Sequence, residues 1–580
     1  MLFHIDMLQG VSFIDWFRVI WNGLPMDLSM AGYIMIIPGI FYIISVFMIN
    51  YQKVNQKVYF LIIAIIIATI FIPDLHLYSF WGFRIDATVF AYLGSPKEVV
   101  ASVSWQETVL FLLLIMIWSA VQFFVLKKLI INRLPNRPSS KKIVVAPVMF
   151  VLLGLTFIPI RGGLTASTMN PGYVYFSENM FLNHTALNPV FNMLYSLNHQ
   201  KNFGKQFRFM DDETACAIVN DLMACNRQDS TPQLLTTARP NVIFIILESF
   251  GAKVLEPLGG ISNVTPNLSK LSEEGIFFRQ MYANSFRTDR GIVSVLGGYP
   301  AQPNMSILKY ASKVQTLDGI PKSLIDNGYK ASFMYGGDLN FAQMELFAVT
   351  QKITDITDLS KFPSDKRTGK WGVPDEFTFE KLADEIENEK NEPFMKILLT
   401  LSSHEPFDVP TNKFDEPYLN SVAYTDSCLG IFINKIKRSP LWNNSLIILV
   451  PDHDMRFPKN IDHFSPERHD IFMLWLGGAV KNPAVIDNIC TQADIAATLL
   501  NQLNIPANKF TFSRNILNPS VKEFAFYTFP NGFGMISPTG KIAFDCDSNA
   551  PVFSEGELND SLVVKGKALL QCLYDDIQRR

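Results

Sequence analysis

The chain has 580 residues, several times the usual domain length, so a single compact core is excluded and at least two structural units are expected. Apolar residues make up 48% but charged residues only 18%, below the roughly 25% usual in soluble chains, and mean hydropathy is positive, which marks an average over two unlike parts. A net charge of −3 gives no basis for a nucleic-acid partner, and six cysteines without a CxxC pair do not form a disulfide scaffold.

In chain order, residues 1–25 carry Phe13, Trp16, Phe17, Val19, Ile20 and Trp21, interrupted by Asp15 and Arg18. This segment reads as an interfacial helix or an extra short span, without the small-residue cleavage site of a signal peptide. Four apolar runs follow, 31–49, 58–73, 108–126 and 143–160, none with a charged side chain. Each is close to the roughly 20 residues that cross a bilayer as a helix. The loop after the third run holds Lys127, Lys128, Arg133, Arg137, Lys141 and Lys142, and Lys53 and Lys57 precede the second. Between the second and third runs, Asp74, Asp86, Glu98 and Glu107 outnumber Arg84 and Lys97. Because Lys and Arg are retained on the cytoplasmic side, this alternation places everything after residue 160 outside the cytoplasm. The expectation is a membrane bundle over 1–160, a connector over 161–239 and an external domain over 240–580.

From residue 239 short apolar runs alternate with amphipathic helices, the pattern of a doubly wound α/β domain. The run 242–247 ends at Glu248, 446–450 at Pro451, Asp452 and His453, 397–401 at Ser402, Ser403 and His404, and 331–335 at Gly336, Gly337 and Asp338. Ligands bind beyond the carboxyl ends of strands in open parallel sheets, so four strands aim polar groups at one edge. Two carboxylates and an imidazole, Glu248, Asp452 and His453, suit a divalent cation such as Zn, Mn or Mg. Thr288 precedes the apolar helical stretch 292–296, where it serves either as an N-cap or as a hydroxyl presented where helix amides favour a tetrahedral anion. Arg287 and Arg290 flank it and are candidates for neutralising phosphate oxygens. Residues 371–375 are a candidate pocket rim, and Asp454 with His463 a candidate second metal site.

Taken together, Glu248-Ser249, Arg287-Thr288-Asp289-Arg290-Gly291, Tyr335-Gly336-Gly337-Asp338, Ser403-His404-Glu405-Pro406-Phe407 and Asp452-His453 resemble the lipoteichoic acid synthase family of membrane-bound sulfatase-fold enzymes, within the alkaline phosphatase superfamily. The resemblance implies an N-terminal helical transmembrane bundle, in a bacterial cell or inner membrane, and an extracytoplasmic α/β catalytic domain with a mostly parallel central sheet. It implies a phosphoglycerol- or phosphoethanolamine-type transferase that takes a head group from a phospholipid and passes it to an envelope glycan, lipid or polymer. Glu248, Thr288, Asp452 and His453 correspond to ligands of one divalent metal ion, with Thr288 also the nucleophile of a phospho-threonine intermediate. His404 corresponds to a histidine at the substrate phosphate or leaving group, and His469 to a late substrate-binding histidine. Arg290 and Asp338 complete the candidate substrate-binding set.

Two departures qualify the resemblance. The stretch Gly336 to Met344 lacks the histidine, tryptophan and arginine that hold glycerol phosphate in that family, which puts the head group in question. Thr288 stands where sulfatases carry the Cys or Ser that becomes formylglycine, a conversion closed to threonine. Hydrolysis as a phosphodiesterase by the same first step, and an inactive membrane-anchored scaffold, stand as the alternatives.

Overall fold

The computed structural model describes residues 1–47, 52–81, 84–86, 89, 105–133, 141–164, 167–177, 179–199, 203–225, 231–458, 461–556 and 560–580. Lys97, Glu98, Arg137 and the end of the first apolar run lie outside these residues. The chain divides into two units, Met1–Lys201 and Asn202–Arg580, so the stretch read as a connector is shared between them.

In the first unit, α1 (Phe13–Ser45), α2 (Gln52–Trp81), α3 (Trp105–Leu129) and α4 (Lys142–Leu155, continued by the short helix Phe157–Arg161) supply four stretches long and apolar enough to cross a membrane. Residues 13–25 and the apolar run beginning at 31 form one helix. The charges of this segment sit in its first turns, where the Asp15 carboxylate accepts from the Ser12 N–H and hydroxyl at 2.9 and 2.7 Å and pairs with Arg18 at 3.3 Å. The second helix runs beyond the expected 73 to include Asp74, a buried carboxylate satisfied by Arg84 at 3.1 Å and by the N–H of Ile85 at 2.7 Å. Leu112, Met116, Phe124, Ile143 and Phe150 are exposed on α3 and α4, an apolar face of the kind lipid covers.

The second unit is built on a nine-stranded sheet. Its strands are β1 (Asn241–Leu247), β2 (Ile276–Tyr282), β3 (Lys330–Tyr335), β4 (Asp355–Thr357), β5 (Phe394–Leu399), β6 (Ser445–Pro451), β7 (Asp470–Leu476), β8 (Ala484–Ile486) and β9 (Cys490–Thr491). They lie in the order β4-β3-β5-β1-β6-β7-β2-β8, with β9 also on β2. From β4 to β6 neighbours are parallel; β7 runs antiparallel to both β6 and β2. Every residue of β1 and β6 is buried, which is why both read as unbroken apolar runs. The flanking helices include α5 (Asp212–Met223), α6 (Thr288–Gly297), α7 (Asp375–Glu387), α8 (Pro417–Ile436) and α9 (Asp560–Arg579). Phe379, Leu382, Leu429 and Phe432 of α7 and α8 pack with Ile243, Ile245 and Leu247 of β1 in one core. A four-stranded antiparallel sheet that the sequence reading did not anticipate closes the unit: β10 (Ala525–Phe529), β11 (Gly532–Ser537), β12 (Gly540–Asp545) and β13 (Ala550–Gly556).

Candidate active site

Parallel pairing fixes the site. Leu247 of β1 stands opposite Pro451 of β6, so the next residues, Glu248 and Asp452, leave adjacent strands side by side. The chain then turns sharply at Ser249, whose φ of 59° is a left-handed conformation unusual for a side chain of this kind. Three hydrogen bonds hold it there: Ser249 N–H to Asp452 Oδ1 at 2.9 Å, Ser249 Oγ to Glu248 Oε1 at 2.7 Å, and the Tyr418 hydroxyl to the Ser249 carbonyl at 2.7 Å. From β5, Thr400 Oγ1 accepts the Glu248 N–H at 2.9 Å and Ser403 Oγ donates to the Glu248 carbonyl at 2.6 Å.

The side chains of Glu248, Asp452 and His453 are buried, and their donor atoms lie within 4.8 Å of one another. Nε2 of His453 is 3.5 Å from both Glu248 Oε1 and Asp452 Oδ2. Its other nitrogen, Nδ1, faces the carbonyl oxygen of Asp454 at 2.9 Å, which requires the proton on Nδ1 and leaves a lone pair on Nε2. Asp452 Oδ1 accepts the N–H groups of Ser249 and His453, whereas Oδ2 is buried without a hydrogen-bond partner. Burial raises the Glu248 and Asp452 carboxyls above their ordinary range, Asp452 to about 6, and the charge of Asp452 adds to the effect on Glu248. Burial lowers His453. An orphaned carboxylate oxygen, a second carboxylate and a presented imidazole lone pair are a donor set that fits a divalent cation.

Thr288 comes from a different element. Arg287 is the N-cap of α6 and Thr288 its first helical residue, so the threonine hydroxyl is not spent on capping. It donates to Glu248 Oε2 at 3.0 Å and lies 3.3 Å from His453 Nε2. This approach depends on Gly291, where a β-carbon would sit 2.2 Å from the carbonyl oxygen of Asp452. The sequence-predicted ligand set is therefore brought together from β1, β6 and α6.

The remaining candidates separate. His404, half-buried in the loop after β5, has Nδ1 on the Glu405 carbonyl at 2.7 Å and packs edge-on against Trp371 at 4.7 Å. It is near enough to act electrostatically on both Glu248 and His453. Asp338 accepts from the N–H of Asn340 at 3.0 Å, and its Oδ2 is buried without a partner. Arg290 instead turns into the protein, donating to Ser285 Oγ at 3.3 Å and the Pro303 carbonyl at 3.2 Å, with its guanidinium over Phe286. The substrate-binding role expected of His469 is not what its surroundings show. The ring is fully buried, stacked on Tyr527 at 4.0 Å, and its two nitrogens face the carbonyls of Ala283 and His463 at 3.2 and 3.1 Å. Burial, then the Arg468 charge, push its pKa down, and the ring is held by its stacking on Tyr527. The candidate second metal site is likewise taken: Lys253 Nζ holds Asp454 Oδ2 at 2.9 Å, and the His463 ring lies against Phe286.

Of two supporting groups, Asp375 was read only as part of a pocket rim and Gln492 was not singled out. The buried Asp375 carboxylate accepts from the N–H groups of Leu401 and Ser402 and from the Thr425 hydroxyl, fixing the loop that carries Ser403 and His404. Gln492 donates to the carbonyls of Pro451 and Asp452 at 2.8 and 2.7 Å and is itself held by the N–H of Asn284 at 3.0 Å. Neither lies in an apolar run with a polar end, which was the signal used.

Residues 240–505 match the family described as sulfatase, a stretch that contains every member of the cluster. A phosphoglycerol transferase I of Xanthomonas campestris pv. campestris is 22% identical over 309 residues, 49% of this chain and 44% of that protein. A lipoteichoic acid synthase of Staphylococcus saprophyticus is 24% identical over 450 residues, 71% of this chain and 66% of that protein. The chain thus covers less than half the length of the phosphoglycerol transferases it matches. Among solved structures, a protein of the alkaline phosphatase superfamily from Vibrio parahaemolyticus is similar with a TM-score of 0.56 and 26% identity, over 64% of this chain and 97% of that one. The second unit has the alkaline phosphatase-like α/β fold.

Proposed function

We propose that this protein transfers a phospho-alcohol head group, of the phosphoglycerol or phosphoethanolamine type, from a membrane phospholipid to an envelope glycan, lipid or polymer. The observation that carries the reading is the Thr288 hydroxyl at the start of α6, 3.0 Å from Glu248 within the Glu248, Asp452 and His453 cluster. The names of the transferase and synthase relatives support it.

Glu248, Asp452, His453 and Thr288 would hold one divalent ion, Mn, Mg or Zn, which when bound supplies charge that lowers the pKa of a hydroxyl and neutralises phosphate oxygens. Thr288 Oγ1 gives up its proton to Glu248 Oε2, 3.0 Å away, and bonds to phosphorus, and the bond from phosphorus to the diacylglycerol oxygen breaks; the proton returns from Glu248 when Thr288 is released. The amide groups of the first turn of α6 favour the anionic phospho-threonine that results. His404 protonates the departing diacylglycerol oxygen and then takes the proton of the acceptor hydroxyl as that oxygen attacks phosphorus and releases Thr288. Asp338 contacts the head group. The four apolar helices cross the cell membrane with the basic loops inside, which keeps the second unit outside the cytoplasm at head-group level, where donor concentration is high.

Mass spectrometry of the full chain incubated with phospholipid vesicles tests this. A phospho-alcohol adduct on Thr288, chased by acceptor, is expected; unchanged turnover by Thr288→Ala would overturn it. Head group found free in solution instead of on an acceptor would make the protein a phosphodiesterase.

A further inference from the structure

Helix α5 lies just after the membrane-helix unit in sequence and packs on α9, the C-terminal helix, within the second unit. The pair is clamped at one end by polar contacts. Arg208 bonds to both Asp212 and Asp575, the latter at 2.6 Å, and the Gln571 side chain bonds with the backbone of Phe209 and Met210 and with Asp212. One turn further along α5 is Cys216, exposed; one residue beyond Gln571 is Cys572, buried. Asp212, one turn before Cys216, bonds to Gln571, the neighbour of Cys572, at 3.0 Å, so the packing of α5 on α9 brings the two cysteines to the same stretch of the helix pair. Of the other four cysteines, Cys428 and Cys490 are buried singly and Cys225 and Cys546 are half-buried.

We propose that Cys216 and Cys572 are joined by a disulfide that ties α5 to α9. The proposal rests on the location of the second unit outside the cytoplasm, where disulfides persist. The helix clamp presets the two side chains, and only one of them is accessible. The chemistry is thiol–disulfide exchange with an external disulfide, protein or small molecule, as oxidant. The Cys216 thiolate attacks that disulfide, forming a mixed disulfide and releasing one thiol. Cys572 then loses its proton to solvent and attacks Cys216 Sγ, expelling the second thiol, so two cysteine thiols are oxidised and one external disulfide is reduced. Cys216 is exposed and Cys572 buried, which makes Cys216 the first to react. The bond would close a loop over most of the second unit, the arrangement in which a cross-link restricts the unfolded chain most.

The test uses the full-length protein extracted from cells with a thiol-blocking alkylating agent and without reductant. A tryptic peptide pair linking Cys216 to Cys572, split by dithiothreitol and absent from Cys216→Ser, is expected, with faster migration on non-reducing gels than on reducing ones. Both cysteines alkylated in the protein as extracted would overturn the proposal. Treatment of reduced, purified protein with oxidised glutathione then separates the causes. Failure to form the intramolecular bond refutes the geometry, whereas its formation in vitro alone places the fault in the extracytoplasmic location and leaves Thr288 chemistry to its own test.

Discussion

The Thr288 hydroxyl meets the Glu248 carboxylate at 3.0 Å although they stand 40 positions apart along the chain. The hydroxyl therefore has both a proton acceptor and an anion-favouring helix terminus, while Thr288 leaves capping to Arg287. A nucleophile needs the oxygen and not the methyl group. Thr288→Ser is expected to retain transfer within about 10-fold, whereas Thr288→Val, nearly isosteric, should lose at least about 10³-fold. Head-group transfer from labelled phospholipid measures both. Equal losses in the two variants would show that the threonine packs and does not react.

Without a cation, Glu248 and Asp452 are two buried carboxylates facing each other. Glu248 and Asp452 then have folded-state pKa values above their unfolded ones, so their contribution is fully present below the ordinary carboxylate range and is lost as pH rises through about 6. Chelated protein should lose stability between pH 4 and 7 relative to Asp452→Asn. Saturation with Mn, Mg or Zn should reverse that loss, by about 4 kcal/mol at a thousandfold excess over Kd. Thermal melts across pH, with and without chelator, decide this; a chelated wild type that gains stability over this window relative to Asp452→Asn contradicts it.

Gly291 sets how closely α6 approaches β6. An alanine there would normally favour a helix by about 1 kcal/mol. Here its β-carbon meets the Asp452 backbone oxygen at 2.2 Å, so the helix start carrying Thr288 must retreat. Gly291→Ala should lower transfer at least about 10²-fold and weaken metal binding, both readable by activity and by metal titration, while the circular dichroism spectrum stays native.

Glu248, Asp452, His453 and His404 were legible because strands of a parallel sheet are apolar throughout and stop abruptly, so the polar residues after each run fall at the same edge, whereas Thr288 was legible from its place ahead of the apolar helical stretch 292–296. Rings and guanidinium groups off the strand ends carry no such mark. His469 precedes β7 and was read as facing substrate, but its direction is set by Tyr527, some sixty residues on in a sheet with no comparable sequence signal. The strands of that sheet are short and carry Gly532, Gly534 and Gly540, which hide their period. β2 was missed because Arg279 and Gln280 interrupt its apolar run where the pairing with β7 shifts register. Asp454 looked available for a metal until Lys253, two hundred residues earlier, was found beside it.

Glu345 lies in α-helical chain beyond β3, close to Asp338 and Asp358. Burial, then those two charges, push its carboxyl up to about 8. Its folded pKa exceeds the unfolded value, so its contribution is intact below about pH 4 and lost as pH rises through 8. Glu345→Gln should therefore match wild type at pH 5 and exceed it by about 2 kcal/mol at pH 9, the figure reduced for partial exposure of the residue. Urea unfolding at the two pH values tests the sign, and a variant less stable at pH 9 would contradict it.

Asp375 reaches the site only through the chain it holds. Its carboxylate accepts the Leu401 N–H at 2.8 Å, the Ser402 N–H at 3.2 Å and the Thr425 hydroxyl at 2.6 Å, and its own N–H donates to Ser402 Oγ at 2.9 Å. Truncation to alanine leaves buried donors unpaired and should cost about 3 kcal/mol. Thr425→Val removes one of the three donors to the carboxylate and should cost about 1 kcal/mol, less than additively with Asp375→Ala because both break the same network. Ser403 and His404 follow the pinned residues directly. Asp375→Ala is therefore expected to lower turnover 10- to 100-fold at temperatures where it remains folded, with a smaller loss of metal affinity, because Glu248 loses only the firm placement of Ser403 while Thr400, Ser249 and the Asp452 contacts stay. Paired measurements of kcat and metal affinity check this: a fall in metal affinity with kcat intact would mean that the carboxylate acts on the cluster and not on the His404 loop.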